Sequence, residues 1–255
     1  MKKIIILLCF FMPFALMCQS DNTSLRLYGS LNAQNYVSGR FNPSQSPLFS
    51  SVADSGIETG GKTQFLRIET IAALVKMNAA FKKDNPGLSI LVISSTRNFY
   101  DQRSIWEAKW NGSRPVDGIN INKLNLSPYE KGLKILKYSS MPGTSRHHWG
   151  TDFDINSLEN SYFSKGKGLV LYKWMTENAS DFGFYQPYTA GRNAGYEEEK
   201  WHWSYLPLSK YFYQDWMKFY KSNNRFIIEN ESYSGAEELY SLAPVYVSSI
   251  NPECI

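Results

Sequence analysis

Apolar residues fall at helical spacing over Arg67–Asp84, where Ile68, Ile71, Ala72, Val75 and Ala79 mark one face and Asn85-Pro86-Gly87 supplies the stop. A β-branched run follows, Leu88–Ser95 (LSILVISS), which reads as a buried strand. Further helices are predicted over Arg97–Trp110, Tyr129–Tyr138, Gly168–Phe182 (buried stripe Leu171, Tyr172, Met175, Ala179) and the aromatic-rich Leu208–Lys221. Thr151–Asn156 and Lys200–Tyr205 read as strands, and 113–126 as loop. A last helix, around Ala236–Leu242, is expected to break at Pro244. The Ser-, Asn- and Gly-rich stretch from Asp21 to about Gly61 has no strong period and is expected to wrap the surface. Without repeats or an interdomain linker, these elements predict one α+β domain with long connections.

The N-terminus modifies that picture. Lys2 and Lys3 precede an apolar run, Ile4–Leu16, that Pro13 interrupts and that is short for a membrane span. This reads as an export signal occupying 1–20, with cleavage after Ser20. It leaves 21–36 as an exposed segment and 37–255 as the domain with its C-terminal helical extension. Ala15-Leu16-Met17-Cys18 also resembles a lipoprotein box, which would put a lipid anchor on Cys18, although Met17 is a poor residue before a lipidated cysteine. The expected location is the periplasm or the cell surface.

Composition narrows the chemistry. Hydrophobic residues at 43% and charged residues at 20% suit a globular core. A formal charge of +4, two of it in the leader, with no basic stripe, gives no nucleic-acid footprint. Three cysteines, two of them in the first 18 residues, exclude a disulfide scaffold and a four-thiolate zinc module. There is no G-x-S-x-G elbow for a serine hydrolase.

The 3 histidines lie in two polar segments. In Ser145-Arg146-His147-His148-Trp149-Gly150-Thr151-Asp152-Phe153-Asp154, strand alternation puts Asp152 and Asp154 on one face beside a histidine. Such a pocket suits a cation, but taken alone the pattern equally describes a surface loop with solvated aspartates. In Glu199-Lys200-Trp201-His202-Trp203, aromatic neighbours back His202. They form either a core strand or a ligand platform. Two histidines and a carboxylate are a common catalytic zinc set. Glu199 joins that site only if it sits in a bend at the strand's entry. Arg97, in SSTRNFYDQ, stands where strand hands over to helix.

Together, SSTRNFYDQ, SRHHWGTDFD and EKWH resemble, in that order, the motifs of the VanY-type D-alanyl-D-alanine metallocarboxypeptidases, whose fold is shared with the hedgehog signalling domain. The resemblance runs from about Tyr36 to the C-terminus. It implies a small, mostly antiparallel sheet carrying the metal site and flanked by helices. It implies one Zn2+ held by His147, Asp154 and His202, with Glu199 as general base and Arg97 steadying the oxyanion. Gln102 and Ser145 match substrate-contacting positions. The implied substrate is the peptidoglycan stem peptide, cut between D-alanines. An endopeptidase on the same scaffold and a non-catalytic zinc-containing binding module are the alternatives. Thr96 and Asp152 depart from the residues the family often carries, Tyr and Ala. Asp152 is left as either a partner behind the metal or a rival ligand to Asp154. The long segment 105–137 is expected to form one wall of the cleft.

Overall fold

A computed structural model describes residues 23–61 and 63–255; the expected export signal, with Cys18 and the cleavage site expected after Ser20, lies outside the described residues. The centre is a five-stranded sheet. Its strands are β2 (Glu58–Thr59), β4 (Leu91–Ser94), β5 (Asp152–Ile155), β7 (His202–Tyr205) and β6 (Phe184–Tyr185), in the order β2-β4-β5-β7-β6. Only the β2–β4 pair is parallel. A separate antiparallel pair joins β1 (Phe49–Ser51) to β3 (Phe65–Arg67).

One face of β5 and β7 presents Phe153, Ile155 and Trp203 to a core shared with α2 (Ile68–Asp84) and α5 (Gly166–Asn178). The opposite face carries Asp152, Asp154, His202 and Ser204, because strand side chains alternate. The register pairs Asp154 with His202 and Asp152 with Ser204. The sheet thus sets carboxylates and imidazole side by side by backbone pairing alone.

The second core gathers around Trp106 of α3 (Phe99–Trp110), Trp149, and Phe212 and Trp216 of α6 (Leu206–Ser222). Short helices α1 (Ala33–Val37), α4 (Pro128–Leu136), α7 (Ala236–Leu239) and α8 (Ala243–Ser248) complete the order. Helix α3 begins with a capping box, Asn98 accepting from the Asp101 N–H and Asp101 from the Asn98 N–H. That cap fixes where Arg97 leaves the sheet and Gln102 enters the helix.

Three expectations need correction. The buried stripe of α2 is Thr70, Ile71, Leu74, Met77, Asn78 and Phe81, while Ile68, Ala72, Val75 and Ala79 face outward. Leu, Met and Phe have far more apolar area to remove from water than Ala, and they decide the rotation. The segment 21–36 is not simply exposed, and the stretch to Gly61 does not merely wrap the surface: Leu27, Tyr28, Tyr36, Val37 and Val52 are buried. The Tyr36 hydroxyl donates to the Trp149 carbonyl (2.8 Å) and Trp149 Nε1 to the Val37 carbonyl (3.0 Å). Pro244 does not end a helix. It sits in the first turn of α8, where its missing N–H costs nothing.

Candidate metal centre

Gly150 makes the bend that delivers the histidines to the sheet. Its φ of +73° lies in the left-handed region, and a Cβ there would meet Phe49 Cε1 at 2.3 Å. Upstream of it, a 3-10 turn, Arg146–Trp149, aims successive histidines at different partners. His147 Nδ1 bonds the Ser95 carbonyl at 2.8 Å, which fixes Nδ1 as the protonated nitrogen and leaves the Nε2 lone pair free. Nε2 lies 3.4 Å from Asp154 Oδ1.

His148 turns away. Its Nδ1–H donates to the Arg97 carbonyl (2.6 Å), and Nε2 accepts from the Gly143 N–H (3.1 Å). It ties the loop to the base of Arg97. Burial pushes its pKa down to about 3.

His202 presents Nδ1 to the same point, 3.1 Å from Asp154 Oδ1 and 3.6 Å from Glu199 Oε2. Its Nε2 faces Asp152 Oδ1 at 3.0 Å. Burial acts to lower the His202 pKa, but Asp152 and Asp154 outweigh it and raise it to about 9. Burial acts to raise the Asp154 pKa, but His147 and then His202 outweigh it and hold the carboxyl well below the usual carboxylate range.

His147, Asp154 and His202 offer one donor atom each, all within 4.8 Å of one another and all buried. Two imidazoles, each oriented by a partner on its other ring nitrogen, and one ionised carboxylate are a fitting donor set for a divalent ion with an open coordination position. An ion held there would take the place of the proton on His202 Nδ1.

Asp152 is a partner behind this set. Its Oδ1 accepts from Arg146 Nε (2.8 Å) as well as His202, and its Oδ2 from Thr151 Oγ1 (2.6 Å) and Ser204 Oγ (3.0 Å). With its lone pairs so occupied, it does not compete with Asp154. Sequence reasoning missed Arg146, whose guanidinium is buried against Trp149 and serves as the counter-ion.

Glu199 lies in the turn just before β7. Its N–H donates to the Tyr188 carbonyl (2.9 Å), and Gln186 Nε2 donates to the Tyr188 and Glu199 carbonyls (3.1 Å each). Burial raises the Glu199 carboxyl to about 7, with His202 pulling the other way. Tyr188 also packs on the His202 ring. No sequence pattern marked Gln186 or Tyr188.

These groups open into a cleft of about 870 Å³. Its lining includes Arg97, Gln102, His147, Asp154, Glu199 and His202, and Ile105 to Gly118 supply part of one wall. Arg97 Nη1 donates to Ser94 Oγ (3.3 Å), and its buried Nε has no partner. Gln102 donates to the Ser140 carbonyl (2.8 Å), leaving Oε1 unpaired. Ser145 differs from the expectation. It stands at the N-terminal end of the 3-10 turn without a side-chain capping bond, its buried Oγ unpaired, and is not among the residues lining the cleft. Trp203 is core, whereas Trp201 lines the cleft. Cys254 is a buried free thiol whose pKa burial pushes up to about 12, so it is no nucleophile.

A small antiparallel sheet that presents two imidazoles, a carboxylate and a buried glutamate at one cleft defines a metallohydrolase-type site. The VanY family model, described as D-alanyl-D-alanine carboxypeptidase, matches residues 63–208, and the chain belongs to that family. A D-alanyl-D-alanine carboxypeptidase of Enterococcus faecalis is 34% identical over 71 residues, which cover 27% of this chain and 25% of that protein. An uncharacterized protein of Haemophilus influenzae is 33% identical over 81 residues, covering 26% of this chain and 60% of that one. The chain therefore spans a quarter and three-fifths of the lengths of these curated relatives. Among solved structures, the LdcB LD-carboxypeptidase matches with a TM-score of 0.50 at 20% identity, over 76% of this chain and 82% of that one. That likeness shows a shared fold. The vancomycin-resistance D,D-pentapeptidase VanY, solved in complex with Zn(II), matches with a TM-score of 0.45 at 24% identity, over 65% of this chain and 83% of that one.

Proposed function

We propose that this protein is an exported, zinc-dependent D-alanyl-D-alanine carboxypeptidase acting on cell-wall stem peptides. The observation that carries the reading is the convergence of His147, Asp154 and His202 on one point, with the Glu199 carboxylate beside it. The family supports the peptide class, and the leader over 1–20 supports export.

His147, Asp154 and His202 would hold a Zn2+, which would supply Lewis-acid chemistry and bring the pKa of a water down to about 7. Glu199, raised to about 7 by burial, has the affinity to take a proton from the attacking water near neutral pH. As water's oxygen bonds to the scissile carbonyl carbon and the C–N bond breaks, Glu199 returns that proton to the departing amine. Arg97 lines the cleft, and its guanidinium charge is suited to the carbonyl oxygen as it gains negative charge. Gln102 lines the cleft as well, in a position suited to contact the substrate. A binding module has no need of a glutamate desolvated beside the donor set.

Digestion of muropeptides followed by mass spectrometry tests this. Release of free alanine is expected. Glu199→Gln should retain zinc and lose about 10²- to 10⁴-fold in rate, the usual contribution of a general base. Larger fragments would show an endopeptidase instead, and an unimpaired Glu199→Gln enzyme would remove Glu199 from the chemistry.

A further inference from the structure

Helix α3 turns Gln102, Ile105 and Lys109 toward the cleft, at positions i, i+3 and i+7. Lys109 lies outside the three motif segments. It is 7% exposed, and its ammonium donates one hydrogen bond, to Ser139 Oγ at 2.6 Å. An ammonium has three donors, so two N–H groups find no protein acceptor. Among the described residues no carboxylate lies within ion-pair distance of it. A buried cation without a counter-ion is costly, because desolvation is not repaid. Its surroundings compound this. Burial, followed by the charges of Arg114 and Arg97, pushes its pKa down to about 8, which still leaves it mostly charged at neutral pH. Glu199 and Asp117 line the same cleft and pull the other way, without pairing with it. Glu159, Glu197 and Glu198 line the cleft as well, but none of them pairs with it.

We propose that Lys109, backed by Ser139, is the anion subsite that takes the free terminal carboxylate of the peptide being cut. This rests on the hydrolase reading above and sharpens it. In a carboxypeptidase the carboxylate lies one residue past the scissile bond, about 3.8 Å in chain length from the reacting unit. An endopeptidase would instead run neutral peptide past Lys109 and leave the ammonium without a counter-ion. The subsite therefore selects chain ends over internal bonds. Arg114, which also lines this part of the cleft, adds positive potential at longer range.

The test uses the zinc-loaded enzyme with an acylated L-Lys-D-Ala-D-Ala peptide as free acid and as C-terminal amide. Wild type should prefer the acid by about 30-fold in kcat/KM, the size expected of one charge-assisted hydrogen bond. Lys109→Met should lose that preference through KM, with the amide hydrolysed within about 2-fold of wild type, and Lys109→Arg should retain most of it. Binding to Glu199→Gln protein, with and without Lys109→Met, gives the same comparison without turnover. Equal use of acid and amide by wild type, or an equal loss on both in Lys109→Met, overturns the subsite while leaving the hydrolase reading intact. A Lys109→Met defect that appears only when the third residue is diaminopimelate, with its side-chain carboxylate, also overturns it, since the anion would then be that side chain. Failure of wild type to bind or cut either peptide overturns the hydrolase reading and the subsite with it.

Discussion

Asp152→Asn removes one charge from a fully buried network while keeping its shape. Asp152 accepts four hydrogen bonds, from Arg146, His202, Thr151 and Ser204, and Arg146 also donates to Ser204 Oγ at 2.7 Å. The substitution strands the Arg146 guanidinium, which is 1% exposed and has no other carboxylate. Breaking a buried pair from one side costs about 3–5 kcal/mol. In an Arg146→Met background the one remaining cation, His202, keeps Asp154 as its partner, so the same change should cost about 1–2 kcal/mol, near that of a buried hydrogen bond. The coupling is then about 1–4 kcal/mol. The consequence for the metal should not follow that pattern. Asp152 orients His202 so that Nδ1 faces Asp154, and loss of such an orienting partner typically weakens metal binding about 10- to 100-fold. Weakening of that size is expected in both backgrounds. Urea unfolding in chelator measures the stabilities, and competition with a chromophoric chelator measures zinc affinity. Equal stability costs in the two backgrounds, or zinc affinity unchanged by Asp152→Asn, would refute the role given to this network.

His148 gives the protein a calculable response to acid. Its folded pKa of about 3 lies below the ordinary value near 6.5, so the unfolded chain takes up the proton first as pH falls. Stability is therefore full above about pH 6.5 and declines below it, by about 2 kcal/mol at pH 5; the loss between pH 7.5 and 5 should be smaller by that amount in His148→Gln, measured by urea unfolding. Gly150→Ala should destabilise by about 2 kcal/mol or more, because the new methyl meets Phe49 and Arg67 Cγ at a positive φ. A melting temperature within 1–2 °C of wild type, roughly the shift from half a kcal/mol, would show that the loop relaxes.

The sequence was most legible where side-chain type and strand period agree. Asp154 and His202 could be placed because alternation forces the face, and sheet pairing does the rest. Glu199, three residues before His202, fits only as a bend residue, and it lies in the turn just before β7. The rotation of α2 was misread because small alanines were weighted like Leu74 and Phe81. The N-terminal stretch concealed core residues because its elements are brief. Tyr36 and Val37 sit in a five-residue helix, too short to show a period. Arg146 and Lys109 carried no signal, since nothing local tells a buried arginine or lysine from a solvated one. Their meaning comes from Asp152 across a turn and from Ser139, thirty residues away.

The most direct measurement is zinc content per chain, by elemental analysis of the folded protein beside its Asp154→Ala variant. The account requires one zinc per wild-type chain and a large loss in the variant, with Asp154→Ala still folded by circular dichroism. A wild-type protein that folds and takes up no zinc, or a variant that holds zinc as tightly, would contradict it.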